Sequence, residues 1–101
     1  MENIEINGKN IEIEKMDIIS ANILEVKTGT NGYCGGDTGH GSRTYFELTM
    51  HGGDMEVVAD KENNVCIKFG GDTELETFIG ALKFAAKTLK NQIEKIKGVK
   101  I

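Results

Sequence analysis

The chain has 101 residues, of which 39% are hydrophobic and 28% charged, and its formal net charge is −4. This length fits one domain, and the composition is that of a globular protein. An acidic chain lacks the broad basic face that long nucleic acid requires, and no apolar run approaches the ~20 residues that span a bilayer. We therefore expect neither a nucleic-acid-binding protein nor a membrane protein, and place the chain in the cytoplasm.

The first half of the chain predicts β-strands. Residues 3–14 have the pattern of a hairpin, in which Asn7-Gly8 is the favoured pair for a two-residue type I′ turn. Pairing Ile6 with Lys9 places the isoleucines of both strands on one face. Further β-rich runs follow at residues 18–28, 43–50, 55–60 and 64–69. The sequence therefore predicts an antiparallel sheet of about five to six strands over residues 1–71.

The last quarter of the chain predicts one long helix over residues 72–98. Its apolar residues recur with the four-three spacing of a heptad seam, which consists of Leu75, Ile79, Leu82, Ala86, Leu89, Ile93 and Ile96. A helix of this length is longer than a typical strand. We expect the N-terminal half of the seam to pack on the sheet and the C-terminal half to bind a second copy of the chain. The fold class is then α+β, a single ligand-binding domain over residues 1–101.

A glycine-rich segment at residues 29–42 interrupts the strands. Such a loop is usually either functional or disordered. Arg43, the only arginine of the chain, follows it and is a candidate for forked contact with phosphate. Tyr33 and Phe69 are candidates for stacking on a base. The alternatives are an ion pair of Arg43 with a carboxylate, and core packing of the two aromatic residues.

Signals for catalysis or metal binding are weak in this sequence. Neither nucleotide-binding glycine fingerprint is present, and Cys34, His40, His51 and Cys66 match no zinc-site spacing. A Cys34–His40 nucleophile pair has no evident orienting partner. We expect no cofactor, no metal and no catalytic residue, and we interpret both cysteines as free thiols.

Two segments, residues 28–46 and 69–82, resemble a family of small phage proteins, the first type of Thoeris anti-defence protein. The similarity covers residues 23–90. It implies a non-enzymatic sponge that binds glycocyclic ADP-ribose, the signal of a bacterial TIR protein, and so blocks Thoeris signalling in the host bacterial cytoplasm. It also implies assembly through helices into a dimer or hexamer, and cyclic oligonucleotides of the CBASS defence system as a further ligand class.

The resemblance implies that Arg43 belongs to the ligand site. Some members of the family have a second arginine in the site, which this chain lacks, so either a helix lysine such as Lys95 replaces it or the contact is missing. We expect the ligand to contact Asn31, Gly32, Tyr33, His40, Gly41, Arg43, Thr44, Phe69 and Lys95. Two other function classes remain open. One is a hydrolase of a cyclic nucleotide that uses His40 or Asp37, and the other is an inhibitor whose helix seam docks on a host protein.

Overall fold

A computed structural model describes residues 2–97 and consists of six strands followed by one helix. The elements are β1 (Glu2–Ile6), β2 (Lys9–Ile19), β3 (Ile23–Thr30), β4 (Thr44–His51), β5 (Asp54–Ala59), β6 (Val65–Gly70) and α1 (Asp72–Lys97). The predicted α+β fold is confirmed. Position 98 of the predicted helix lies outside the described residues. No helix in the described part of the chain is long and apolar enough to cross a membrane.

The strands form an antiparallel four-stranded sheet, in the order β1-β2-β3-β4, and a separate two-stranded hairpin of β5 and β6. The predicted register of the first hairpin is confirmed, because Ile6 pairs with Lys9 and Ile4 with Ile11. Both turn residues have positive φ, 48° at Asn7 and 83° at Gly8, as a type I′ turn requires. The long strand β2 pairs first with β1 and then with β3, so the sheet curls along it.

Gly29 marks the place where β3 passes close to β2. A Cβ atom at this position would collide with the carbonyl oxygen of Glu12 and lie 3.0 Å from Cδ1 of Ile13. Ile13 and its neighbour Ile11 are both buried, at 2% and 0% exposure. The first glycine of the glycine-rich segment therefore serves strand packing and belongs to β3.

The helix packs on the sheet through small and polar residues. Ala81 and Ala85 form the core with Leu24 and Val26. Three polar residues of the same helix face are also buried, namely Thr77, Thr88 and Gln92. Small side chains allow the helix backbone to approach the sheet closely.

The N-terminal half of α1 packs on the sheet as expected, but it does so through Phe78, Ala81 and Ala85 and not through the residues of the heptad seam. Leu75 is 56% exposed, Ile79 44% and Leu82 47%. At 3.6 residues per turn the seam lies about a quarter turn around the axis from Ala81 and Ala85. The buried face is chosen by the fit of small side chains and by polar partners in the sheet, which the apolar spacing does not encode.

The helix lies over β2 and β3 and leaves the helix-facing side of β4 partly uncovered. Phe46 of β4 pairs with Thr28 and is 47% exposed. The seam side of α1 faces β4, because Leu89 and Ile93 line one cavity together with Thr44. Exposed apolar groups of the helix and the sheet therefore lie on the same side of the molecule.

Candidate functional site

The glycine-rich loop begins and ends at adjacent positions of the sheet, because Thr30 pairs with Thr44 across β3 and β4. Two hydrogen bonds between Asn31 and Arg43 close the base of the loop, which we call the loop neck. The backbone N–H of Arg43 donates to Oδ1 of Asn31 at 2.7 Å, and the backbone N–H of Asn31 donates to the carbonyl of Arg43 at 3.2 Å. The loop is thus a folded continuation of the sheet.

The side chain of Arg43 is buried inside this loop, with 7% exposure. Its Nη1 donates to the carbonyls of Gly41 and Ser42, both at 3.2 Å. Its Nη2 donates to the carbonyls of Thr38 at 2.6 Å and Gly39 at 3.4 Å. Arg43 has no salt bridge within residues 2–97, and its Nε is buried with no hydrogen-bond partner there. The guanidinium therefore holds the loop together in this structure, and its contact with phosphate stays a prediction.

Asp37 organises the backbone amides of the same loop. Its Oδ1 accepts a hydrogen bond from the N–H of Gly39 at 2.9 Å, and its carbonyl accepts from the N–H groups of His40 and Gly41. Two predicted ligand residues, His40 and Gly41, thus have their amides engaged inside the loop. The His40 side chain is exposed, whereas Gly41 is buried.

Gln92 connects the loop neck to the helix and to the N-terminal hairpin. Its Oε1 accepts the backbone N–H of Thr30 at 2.8 Å, and its Nε2 donates to the carbonyl of Glu12 at 3.0 Å. The side chain is 6% exposed and both ends of its amide are engaged. Gln92 is therefore a fixed element of the site, and a cavity opens on each side of it.

The first cavity, the polar pocket, has a volume of about 320 Å³. It lies between the C-terminal turns of α1, the N-terminal hairpin and the loop neck. Its lining consists of Asn3, Asn10, Glu12, Glu14, Thr30, Asn31, Asn91, Gln92, Lys95 and Ile96. Two predicted ligand residues, Asn31 and Lys95, are brought together here.

The second cavity, the apolar pocket, has a volume of about 150 Å³ and shares Thr30 with the polar pocket. It is lined by Thr30, Gly32, Tyr33, Ser42, Thr44, Leu89 and Ile93. Three further predicted ligand residues, Gly32, Tyr33 and Thr44, meet here. The Tyr33 ring is available to a ligand, since the residue is 60% exposed.

Phe69 lies apart from both pockets. Its ring packs against Phe78 with a centroid distance of 4.6 Å, at the N-terminal end of the helix. Phe78 and Lys95 are about 25 Å apart along α1, at 1.5 Å per residue. This position corresponds to the core-packing alternative for Phe69.

Several pocket residues were not among the sequence candidates, above all Glu12 and Glu14 of β2 and Asn91 and Gln92 of α1. Strand alternation shows that Asn10, Glu12 and Glu14 share a face. It does not show that the end of a helix lies over that face. Only the packing of α1 on the sheet brings these residues to the loop neck.

Among the described residues, no hydrogen bond joins the Cys34 thiol to the His40 imidazole, and the thiol lies near backbone carbonyls. Sγ of Cys34 lies 3.4 Å from the carbonyl oxygen of Gly32 and 3.9 Å from that of Asn31. Within residues 2–97 no group of three or more His, Cys, Asp or Glu side chains is placed to hold a metal ion.

The likeness to phage anti-defence proteins rests on the two sequence segments described above. Comparisons of the chain with protein-family models, with curated proteins and with solved structures found no significant match.

Proposed function

We propose that this chain is a non-enzymatic protein that binds and sequesters a cyclic ADP-ribose-type signalling nucleotide, and so blocks Thoeris signalling in the bacterial cytoplasm. Cyclic oligonucleotides of the CBASS system are a further ligand class. The observation that carries the proposal is the pair of pockets at the neck of the glycine-rich loop, of about 320 and 150 Å³. Small-molecule sites are typically ~300–1,000 Å³, so the pair suits one nucleotide.

The two pockets offer the groups that a nucleotide needs. Lys95 supplies an ammonium group that donates hydrogen bonds to ligand oxygens, and the amide side chains supply further hydrogen bonds. Tyr33 supplies an exposed aromatic face. Five residues that the sequence assigned to the ligand line this one region, which are Asn31, Gly32, Tyr33, Thr44 and Lys95.

Binding is favoured over hydrolysis by the state of the reactive side chains. The carboxylate of Asp37 accepts the N–H of Gly39, so it is engaged in loop structure. Neither His40 nor Asp37 lines the polar or the apolar pocket. A general base must lie within hydrogen-bond reach of the group it activates, and neither residue is placed to reach a ligand held in these two pockets.

The same proposal includes a homo-oligomer that forms through the helix seam. Leu75, Ile79 and Leu82 form an exposed apolar stripe on the N-terminal half of the seam, and Ile96 of the C-terminal half is exposed as well. The helix begins with Asp72 and Glu74, and the lysines Lys83, Lys87 and Lys90 follow further along it. Two antiparallel helices related by a twofold axis would bring each acidic end to the basic part of the partner.

Capture and release of the ligand tests this function. The protein is incubated with glycocyclic ADP-ribose, separated from free nucleotide and heat-denatured, and the released nucleotide is analysed by mass spectrometry. A sponge releases intact nucleotide, and a hydrolase releases a cleaved product. If nothing is captured, a protein-docking function becomes the better explanation.

Two matched variants test whether the captured nucleotide binds in the polar pocket. Lys95→Ala removes the ammonium of the polar pocket, whereas Lys61→Ala removes the same charge from the exposed turn between β5 and β6. We expect reduced capture by Lys95→Ala and unchanged capture by Lys61→Ala. Equal capture by both variants would place the ligand outside the polar pocket.

A further inference from the structure

We infer that the two pockets divide the ligand between them: the polar pocket binds a ribose through its vicinal hydroxyls, and the apolar pocket binds the base. The inference rests on the proposed function and assigns a ligand-binding role to the N-terminal hairpin, which lies outside the segments that resemble the phage family. The juxtaposition that carries it is the placement of Glu12 and Glu14 beside the amide side chains at the end of α1.

The lining of the polar pocket suits a sugar. Among its side chains are five amides, two carboxylates, one hydroxyl and one ammonium, with no aromatic ring and no arginine. Carboxylates accept hydrogen bonds from ribose hydroxyls, as an acidic residue does in dinucleotide-binding folds. Amides both donate and accept, so they satisfy the remaining hydroxyl groups. A stacking base or a pyrophosphate would find few matching partners in this cavity.

The strand geometry sets the carboxylates side by side. Glu12 and Glu14 are alternate residues of β2, so they lie on the same face, about 6.6 Å apart along the strand. Asn3 pairs with Glu12 across β1 and β2, which places an amide next to a carboxylate. These neighbouring carboxylate and amide side chains can therefore accept from and donate to two adjacent hydroxyl groups of one ribose.

Neither carboxylate has an ion pair within the described residues. The nearby Lys15 instead binds Glu25 at 2.8 Å, and Lys27 binds Glu2 at 3.5 Å. Glu12 and Glu14 are both half-buried. Their side chains are therefore available to a ligand in the pocket, and their negative charge disfavours a phosphate there.

The apolar pocket complements this arrangement. Leu89 and Ile93 lie on one side of Gln92, and Asn91 and Lys95 lie on the other, because each residue turns about 100° around the helix. Leu89, Ile93 and Tyr33 offer the apolar and aromatic surface that a base requires. Thr30 lines both cavities, so one nucleotide can reach from one pocket to the other past the Thr30–Gln92 hydrogen bond.

A double-mutant cycle between protein and ligand tests the assignment. Glycocyclic ADP-ribose and its analogue that lacks one hydroxyl of the diol-bearing ribose are titrated by calorimetry into the wild type and into Glu12→Gln and Glu14→Gln. We expect the wild type to bind the deoxy analogue about tenfold more weakly, as the loss of a hydrogen bond to a charged group predicts. At least one of the two variants should bind the parent nucleotide about tenfold more weakly than the wild type does. The same variant should bind the deoxy analogue with almost the same affinity as the wild type.

The control is Glu5→Gln, which removes the same charge from the same face of the hairpin but outside the polar pocket. It should bind both ligands as the wild type does. Circular dichroism and thermal melting verify that each variant is folded. If both variants lose affinity equally for the two ligands, or lose none, the ribose assignment is overturned while the proposed function stands. If the wild type binds neither nucleotide, the proposed function fails as well.

Discussion

Thr30 and Gln92 are joined by a hydrogen bond of 2.8 Å from the backbone N–H of the last residue of β3 to the side chain near the end of α1. This contact fixes the loop neck against the helix and separates the polar pocket from the apolar pocket. It makes the stability of the fold and the shape of the site depend on the same buried amide.

Replacing Gln92 should therefore destabilise the protein. Gln92→Leu keeps the approximate volume but leaves the Thr30 N–H and the Glu12 carbonyl without their partner. We expect a loss of about 2–4 kcal/mol of unfolding free energy, because each unsatisfied buried group costs ~1–3 kcal/mol. Urea unfolding measures it. The exposed neighbour Asn91→Leu is the control, and an equal effect of the two changes would contradict the structural role of Gln92.

Arg43 should keep the glycine-rich loop in its folded conformation. Arg43→Ala removes four hydrogen bonds to loop carbonyls, and Arg43→Lys cannot span them with a single ammonium group. We expect both variants to lower the melting temperature and to increase hydrogen exchange at residues 37–43. Calorimetry of nucleotide binding at two salt concentrations shows whether the guanidinium also contacts phosphate.

Phe69 should contribute to stability and not to ligand binding. Its ring packs on Phe78, away from both pockets. Phe69→Ala creates a cavity beside the core, and we expect a loss of up to about 3 kcal/mol in unfolding free energy, since the residue is only half-buried. Nucleotide affinity, measured by calorimetry below the melting transition, should stay within twofold. A tenfold weaker affinity would instead assign the ring to the ligand.

Leu82 should be essential for self-association. The residue is 47% exposed in the single chain and is the last residue of the apolar stripe. Leu82→Lys is therefore tolerated by the monomer but buries an unpaired charge in a helix pair. We expect light scattering to report a monomer for this variant and an oligomer for the wild type. Ile93 is less suitable for this test because it also lines the apolar pocket. A monomeric wild type would refute the helix interface.

Acid should weaken the junction between α1 and the β5–β6 hairpin. The backbone N–H of Asp54 donates to Glu74, and this bond together with one from Thr73 holds the pKa of the Glu74 carboxyl below its ordinary value. A lowered pKa means that the carboxylate stabilises the fold above about pH 4.3, and that this stabilisation is lost as the pH falls through the lowered pKa. The melting temperature of Glu74→Gln should therefore change less than that of the wild type as the pH falls below about 4.3. Glu76→Gln is the control. Parallel pH profiles of Glu74→Gln and the wild type would contradict this role.

The sequence by itself determined the first hairpin, the approximate places of the later strands and the existence of the long helix. It did not determine the turn between β2 and β3, because the single β-rich run predicted at residues 18–28 spans that turn. Asn7-Gly8 sets the turn of the first hairpin, and the alternation of isoleucine and polar residues sets its register. These features depend on local backbone preferences and on side-chain periodicity, which can be read along the chain.

The tertiary structure decided which helix face is buried and where the pockets lie. The heptad seam is the most apolar stripe of α1, yet Ala81, Ala85 and Gln92 face the sheet, because small side chains and paired amides fit there. Arg43 likewise binds the carbonyls of its own loop, a choice that depends on how the chain turns between β3 and β4. Glu12 and Lys95 line the same pocket only because the curled sheet brings β2 close to the end of the helix. Contacts between residues distant in sequence depend on shape and on hydrogen-bond satisfaction in three dimensions, and the order of residues along the chain does not specify either directly.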